Sequence, residues 1–576
     1  MKSPILSCAI SLMLSLGALN AAYADSATWT LNPISSDWNT AANWTPATVP
    51  NGPADIATFS TSSRSTVSLS NVQIEVASLI FDTAATNYTI SVGGHNNFGG
   101  ELTIGDAGIV NNSGKLQTFV ADVARGTAGE IIFIGNAHAG SFTQFTMQGG
   151  RGYDADGGLT LFNDQSSADQ AAFLINGAEG NNAFNGEVRF FDSSTAGSAT
   201  FLVQAATGAS RNNATVNFFG NSSGGNAVIT AEGAAVKDAS GGALLFWESS
   251  TAANAAFVAN GGSADGARGG YSGFLSGDAG QATFIANGGT NGGLGGFIYF
   301  AYSSDGGEAQ VEVYDNGYLD LSAHDSPGMT IGSLTGNGFV YTGSRNLTIG
   351  SNNLGTTFSG IIQEDGGIVG GSNGSITKLG TGTLTLSGAS TYTGGTTVTG
   401  GVLKVANTTG SATGTGPVNV DIGTLSGSGI IGGAVALGTG TGAGAVIAPS
   451  GQTNVRPGTL TINGNLTFNS DATYTCTFKA KPNRARTDQV IANGVTVNSG
   501  AMITLIGHTM GALTQGMVLT LISNTSANPI SGTFSNLPDG GIVTINGNNL
   551  QASYEGGDGN DLTLTVVPWS SRNPLL

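Results

Sequence analysis

The side chains able to do acid–base, nucleophilic or metal chemistry are few, and their spacing suits none of it. Four histidines, His95, His138, His324 and His508, stand far apart, and none belongs to a helical zinc pattern. His324-Asp325-Ser326 has the residue types of a nucleophilic set, but a triad is assembled in space and adjacent residues rarely converge on one atom. Gly556-Gly557-Asp558-Gly559-Asn560-Asp561 matches the opening of the calcium-binding nonapeptide. That motif next wants a large apolar residue where Thr563 stands, and it works only in tandem copies. The segment reads better as a tight turn before a strand from Leu562 to Val567. No catalytic, cofactor-binding or metal-binding residue is assigned, and no cofactor is expected.

The elements that would have to position such groups are more informative. Lys2, an apolar run from Ile5 to Leu19 and the small residues around Ala22-Tyr23-Ala24 have the layout of a secretory signal, with cleavage expected between Ala24 and Asp25. Cys8 lies inside the apolar run and is read as an ordinary signal residue rather than a lipid attachment point. Cys476 is then the lone cysteine of the mature chain, so an internal disulfide and a Cys-ligated metal cluster are both excluded. The localisation expected is extracellular or cell-surface.

With 93 Gly in 576 residues and only 9% charged residues, the chain disfavours helix. Its 39% hydrophobic content, regularly spaced, also argues against disorder. A net charge of −18, with 18 Lys and Arg scattered along the chain, argues against nucleic acid as a partner. After the signal no stretch approaches the roughly 20 apolar residues of a membrane span, so no transmembrane segment is expected in the mature chain.

Periodicity sets the architecture. Phe162, Phe190, Phe218, Phe246 and Phe274 recur at a constant step of 28. Phe145, Phe173, Phe201, Ile229 and Phe257 step by 28 as well, and continue to Phe284 and Val311 in steps of 27. Between the two series lie Ser166, Ser194, Ser222 and Ser250, and after the second lie Gly149, Gly177, Gly233 and Gly261. Each repeat thus reads as strand, small polar corner, strand, Gly-rich loop. One repeat cannot bury its own apolar residues, whereas stacked copies place each Phe above its counterpart in one continuous core. The expected fold is all-β, a β-solenoid with repeats of about 28 residues in its central part.

Past Asp325-Ser326-Pro327-Gly328 the sequence changes style. Ile376-Thr377-Lys378 leads into Gly380-Thr381-Gly382-Thr383-Leu384-Thr385-Leu386, then Thr391-Tyr392-Thr393-Gly394-Gly395-Thr396, then Gly401-Val402-Leu403-Lys404-Val405. These three blocks, in this order, resemble the autotransporter-associated β-strand repeat. The resemblance implies a right-handed parallel β-helix of the kind found in exported passenger regions. Proteolytic passengers carry a Gly-Asp-Ser-Gly loop, and the nearest text, Ser276-Gly277-Asp278-Ala279-Gly280, lacks the serine. Glycan lyases with this fold use Asp, Lys and Arg gathered on one face, and here Lys and Arg do not recur in register. The text after Val567 leaves no room for a translocator barrel, so separate secretion machinery is expected.

The domain reading is residues 1–24 signal, 25–100 N-terminal cap and first coils, 101–325 the Phe-ladder solenoid, 326–567 a solenoid holding the resembling repeat at about 374–405, and 568–576 a tail. Trp29, Trp38 and Trp44 are read as packing within the cap, with a sugar-stacking platform as the alternative. The function expected is a non-enzymatic, exported scaffold of adhesin-like character. Its expected partners are glycans or abiotic or host surfaces. The rival readings are a glycan-active β-helix enzyme and a purely structural matrix protein.

Overall fold

The computed structural model describes residues 26–93, 99–124, 127–179, 183–208, 212–442, 444–451, 456–509 and 511–568. The Ala24–Asp25 cleavage point and His95 lie outside the described residues. Apart from one 3₁₀ turn at Ala41–Asn43, the described residues hold only strands, turns and loops.

Alternation within each short strand decides its two faces. In Glu187–Phe190 and Ala172–Ile175 every second side chain is buried, the pattern of a strand with one face on a core. Each coil contributes one strand to sheet I, such as Leu159–Phe162, and one to sheet II, such as Ala172–Ile175. Successive coils pair in parallel and in register, Phe162 with Phe190 and Phe173 with Phe201. Sheet I has fifteen strands, from Trp44–Thr45 and Ala27–Trp29 to Ile361–Gln363. Sheet II runs as one open ladder from Thr66–Ser70 to Met502–Thr509, with Arg484–Thr487 added as a hairpin, and no described pairing joins its two ends. The molecule is a parallel β-helix.

The core of the central coils is aromatic. Phe162, Phe190, Phe218, Phe246 and Phe274 are buried and stack with centroids 4.6–4.7 Å apart and planes within 8° of parallel. That distance is the spacing of neighbouring strands, so pairing and stacking are satisfied together. Phe145, Phe173, Phe201, Ile229, Phe257 and Phe284 form the facing column, also buried. The columns meet edge to face, as in Phe246–Phe257 at 5.7 Å and 82°. Both columns are longer than a strict step of 28 suggests: Phe133 stacks on Phe162, Phe300 on Phe274, and Phe119 on Phe145. Their steps of 29, 26 and 26 are absorbed in loops while the strand register holds.

The corners are packed parts of the coil. Ser166, Ser194 and Ser250 are buried and each donates its hydroxyl at 2.7 Å to the carbonyl three residues back, of Asn163, Phe191 and Trp247. The neighbouring Ser167, Thr195, Ser223 and Thr251 link coil to coil by single bridges. Where the loop returns to sheet I the coils touch through backbone. A Cβ at Gly158 would stand 2.1 Å from the Ala121 carbonyl oxygen, and one at Gly242 2.3 Å from that of Val203.

Beyond Val313 the coils shrink. Leu319 pairs with Val340, a step of 21, and Leu384 with Leu403, a step of 19. A third ladder, sheet III, begins at Gly328–Ile331 and reaches Val495–Val497 in eight strands. The core passes through this change unbroken, since one apolar cluster runs from Ala27 to Val566.

Both ends are closed by departures from the repeat. At the start, Trp44–Thr45 pairs antiparallel to Ala27–Trp29. Trp29, Trp38 and Trp44 are buried, with centroids 5.1 and 4.8 Å apart, and all three lie against Phe59. Their indole N–H groups donate to the carbonyls of Arg64, Pro50 and Trp38. Their faces are therefore closed to a ligand, and the sugar-platform alternative falls. At the far end Val518–Asn524, Asp561–Val567, Asn548–Gly556 and Ile542–Ile545 turn antiparallel, so the last parallel edge meets a sheet of opposite sense. No described helix is long and apolar enough to cross a membrane.

Candidate functional site

His324 and the Gly556–Asp561 turn, which have residue types suited to chemistry, are structural. His324 is buried, and its ring nitrogens lie 2.7 Å from the Asp325 and Ser304 carbonyl oxygens, so the ring does not address the Ser326 hydroxyl. Gly556 and Asp561 pair across a tight turn with Gly557 and Gly559 at positive φ, and Asp561 accepts the Asn524 N–H at 2.9 Å. Among the described residues no group of three His, Cys, Asp or Glu could hold a metal ion. The Phe and Ile positions of the two ladders all point into the core.

The functional candidate lies on the opposite side of sheet I. In all but one of these coils the residue three before the buried ladder position is at least partly exposed on the outer side, and strand pairing lines these residues up: Gln73, Glu101, Glu130, Leu159, Glu187 and Thr215, then the buried Ala243, then Tyr271, Phe297 and Tyr318. A second outward column, two residues along, contains Arg189, Asn217, Tyr299 and Tyr341. The Gly/Ala-rich loops stand beside this face. A cleft of about 350 Å³ is formed by Glu130, Glu187 and Arg189 from the strands with Asp156, Phe184 and Asn185 from the loops.

Its charged groups are not equivalent. Glu187 is tied on both oxygens, by Arg189 at 2.6 Å and by the Asn217 amide at 2.7 Å, and Asn217 in turn accepts the Trp247 indole N–H at 3.2 Å. That bond to Glu187 raises the Arg189 pKa further. Glu101 accepts from Gln73 and Thr103. Glu130 is different: burial first, then the neighbouring Glu101 carboxylate, raises its pKa above the ordinary glutamate value.

Further along, the face becomes aromatic. Tyr271, Phe297 and Tyr318 stack at 4.9 Å, and Tyr299 and Tyr341 flank them. In such a stack the ring faces cover one another, and the residues are half-buried. Burial holds the Tyr299 and Tyr318 phenols well above the ordinary tyrosine range, so they remain O–H donors. The strip ends at a loop whose Gly367 sits against Asp320. That buried carboxylate accepts the Ser322 N–H at 2.8 Å and the Ile368 N–H at 2.7 Å. Acceptors, one fixed cation and phenols spread over two neighbouring columns can hydrogen-bond a polyhydroxylated chain laid along the axis.

This site was missed by following the buried periodicity, although one signal existed. Glu101, Glu130 and Glu187 each stand three residues before a ladder position, at Ile104, Phe133 and Phe190.

The blocks that carry the family resemblance are, by contrast, packing. Lys378 is buried, with its ammonium on the carbonyls of Leu379, Gly380 and Gly400, and burial lowers its pKa. Tyr392 is buried with its hydroxyl 2.6 Å from that of Thr396. Residues 376–405 match the family model of the passenger-associated-transport-repeat. No curated protein matches the sequence. Among solved structures, the Hap adhesin of Haemophilus influenzae is similar at 12% identity and a TM-score of 0.26, over 90% of this chain and 65% of that one. This chain thus spans just under two thirds of the adhesin's length, and the overlap is too loose to add to the fold described above. Within its repeated parallel strands, the matched segment makes this chain similar to autotransporter passenger repeats.

Proposed function

We propose that this protein is an exported, adhesin-like passenger that binds glycans along the outward face of sheet I. The observation that carries the reading is one strand-aligned column that presents Glu101, Glu130 and Glu187 in its first part and the Tyr271–Tyr318 strip in its second, with the buried Ala243 between them. Its association with a passenger repeat supports export and a separate translocator. A secretory signal over residues 1–24 belongs to the same reading, and amino-terminal sequencing of secreted protein should begin at Asp25.

The contacts are individually weak, and a chain that meets several rungs gains through effective concentration. The test is the full mature chain on an array of neutral and acidic oligosaccharides of increasing length. Binding should strengthen with length and fall at least about tenfold when Glu187→Ala and Tyr318→Ala are combined, a loss expected of two or more hydrogen-bonding contacts. Binding that ignores both substitutions, or none at all, overturns the proposal in favour of a matrix role.

A second reading is favoured by Glu130. A carboxyl held towards its protonated form beside a carboxylate on the next rung, about 4.8 Å away by strand spacing, is the pairing that glycoside hydrolysis uses. Release of reducing ends that disappears in Glu130→Gln would establish it; binding without release leaves the adhesive reading in place.

A further inference from the structure

The acidic chain gathers its cations at one place. Lys479 and Lys481 on Ala472–Lys481, and Arg484 and Arg486 on Arg484–Thr487, share a cleft of about 640 Å³ with Arg456, and the His508 ring on Met502–Thr509 also lines it. A second cleft of about 630 Å³ contains Lys404 and again Arg456, so the two are continuous through that residue. Six of the chain's 18 Lys and Arg line these clefts, and no Asp or Glu does, in a chain with 36 acids.

Strand pairing makes the concentration costly to the fold. Lys479 stands directly opposite Arg486 and Lys481 opposite Arg484, and on its other side Lys479 pairs with His508. Like charges at direct cross-strand positions destabilise a hairpin. None of the ion pairs among the described residues involves Lys481, Arg484, Arg486 or Arg456.

The site is also held in shape. The turn at Pro482-Asn483 is pinned by Thr514, whose N–H donates to the Pro482 carbonyl at 3.0 Å and whose hydroxyl donates to Asn483 at 2.8 Å. Asp488, the acid nearest the hairpin in sequence, is buried and taken up by hydrogen bonds. It accepts from the Thr477 and Gly458 N–H groups and from the Ser450 hydroxyl at 2.7–2.9 Å. Ser450 and Gly458 line the second cleft, so one carboxylate ties the two clefts together from beneath.

We infer that these joined clefts bind a saccharide carrying clustered oxyanions, as sulfate or phosphate esters. The cations supply the charge, and Thr424, Ser426, Ser450 and Asn546 supply hydrogen bonds for sugar hydroxyls between the charges. Nucleic acid fits less well. No Phe, Tyr or Trp lines either cleft to stack a base, and a long polyanion would extend over a surface of net charge −18. This site lies on the C-terminal hairpin and goes beyond the glycan-binding face of sheet I.

The experiment is calorimetric titration of the full mature chain with a sulfated hexasaccharide, a phosphorylated oligosaccharide, inorganic phosphate, a neutral glucan of equal length and a short DNA duplex. One or both charged saccharides should bind, and which binds tighter distinguishes sulfate from phosphate. Their affinity should drop about tenfold or more as salt rises several-fold, because exposed charges are screened. Lys481→Gln with Arg484→Gln should lose about tenfold or more, as expected for two charge-assisted contacts. Arg268→Gln, remote on the central coils, should leave binding unchanged, and so should the sheet I substitutions tested above. Ligand protection of Lys404 and Lys481 from acylation in the unaltered protein gives a second readout that needs no variant. Duplex DNA binding as tightly as the saccharides, equal loss in Arg268→Gln, or absence of lysine protection would overturn the inference.

Discussion

The coils between Glu130 and Val313 and those between Ser375 and Ala448 stack by the same parallel pairing but are built differently. In the first region the step from coil to coil is 27 or 28 over most of its length, the core is two columns of rings, and long Gly/Ala loops flank an outward face with carboxylates and phenols. In the second the step is 19 and then 22 twice, from Leu384 through Leu403 and Leu425 to Ile447, and those core positions are aliphatic. The extra length of each coil in the first region adds nothing to the main core; it packs small alanine clusters of its own, around Ala178 and around Ala234, and forms the wall of a cleft. Coil length therefore separates what stacking needs from what a binding face needs, and the matched repeat falls in the region of short coils while the candidate site does not.

The largest expected effect tests the two cores directly. Phe218 stacks on Phe190 and Phe246 at 4.6 and 4.7 Å, so Phe218→Ala opens a hole between two rings. The cost should be about 3–5 kcal/mol, at the upper end because aromatic pairing is lost along with buried area. Leu403→Ala in the aliphatic core should cost about 2–4 kcal/mol. In a solenoid each coil touches mainly its neighbours, so the loss should appear as reduced hydrogen-exchange protection in adjacent coils. If Leu403→Ala proves the more damaging, aromatic stacking is not what distinguishes the central region.

Lys378 sharpens the comparison from the other side, because it is a buried charge inside the second region. Lys378→Met keeps the length but leaves the Leu379, Gly380 and Gly400 carbonyls without their shared donor, at a cost of about 1–3 kcal/mol. Its pH behaviour has a definite sign. The folded pKa is lowered by burial, so between the folded value and the ordinary lysine value the unfolded chain binds more protons than the folded one. Stability contributed by this group therefore rises with pH across that interval. The buried tyrosines, whose pKa values are raised, act in the opposite sense at high pH. The measurement is the difference between the unaltered chain and Lys378→Met in denaturant midpoint as pH is raised. A difference independent of pH would mean that the lysine is not effectively desolvated.

Much of this was legible in the residues, and what was not has physical reasons. The ladders from Phe145 to Phe284 could be read because in-register parallel stacking forces one side-chain type to recur at one step. Phe119, Phe133 and Phe300 escaped, since an insertion or deletion in a loop changes the step without disturbing the strand register. The outward face escaped because function there draws on different residue types coil by coil, Glu130, then Leu159, then Glu187, and no repeat marks it. The 18 Lys and Arg read as scattered along the sequence, whereas the hairpin folds Lys479 against Arg486. His324-Asp325-Ser326 misdirects because adjacent side chains on a turn diverge.

The smallest effects lie in the serine column between the two sheets, where sequence reading treats every member as the same polar link. Such a link, if solvated, would tolerate replacement at little cost at every position. All four serines are instead buried, and their hydroxyls are not equivalent. Ser194 donates to the Phe191 carbonyl at 2.7 Å, as Ser166 and Ser250 do to theirs, whereas the buried Ser222 hydroxyl has no hydrogen-bond partner. Removing a satisfied buried donor costs about 0.5–1.5 kcal/mol, while removing an unsatisfied one relieves a desolvation penalty. Ser194→Ala should therefore lower local stability by about 1 kcal/mol, and Ser222→Ala should leave it unchanged or raise it slightly. Both changes leave the same small side chain in the same corner, so packing cancels and the hydroxyl alone is compared. The pair is read in one denaturation series at fixed pH. Equal losses at both positions would mean that Ser222 finds a partner in solution and that the column is uniform after all; opposite signs would show that the stacked corner keeps the serine's size at every coil but uses its hydrogen bond at only some.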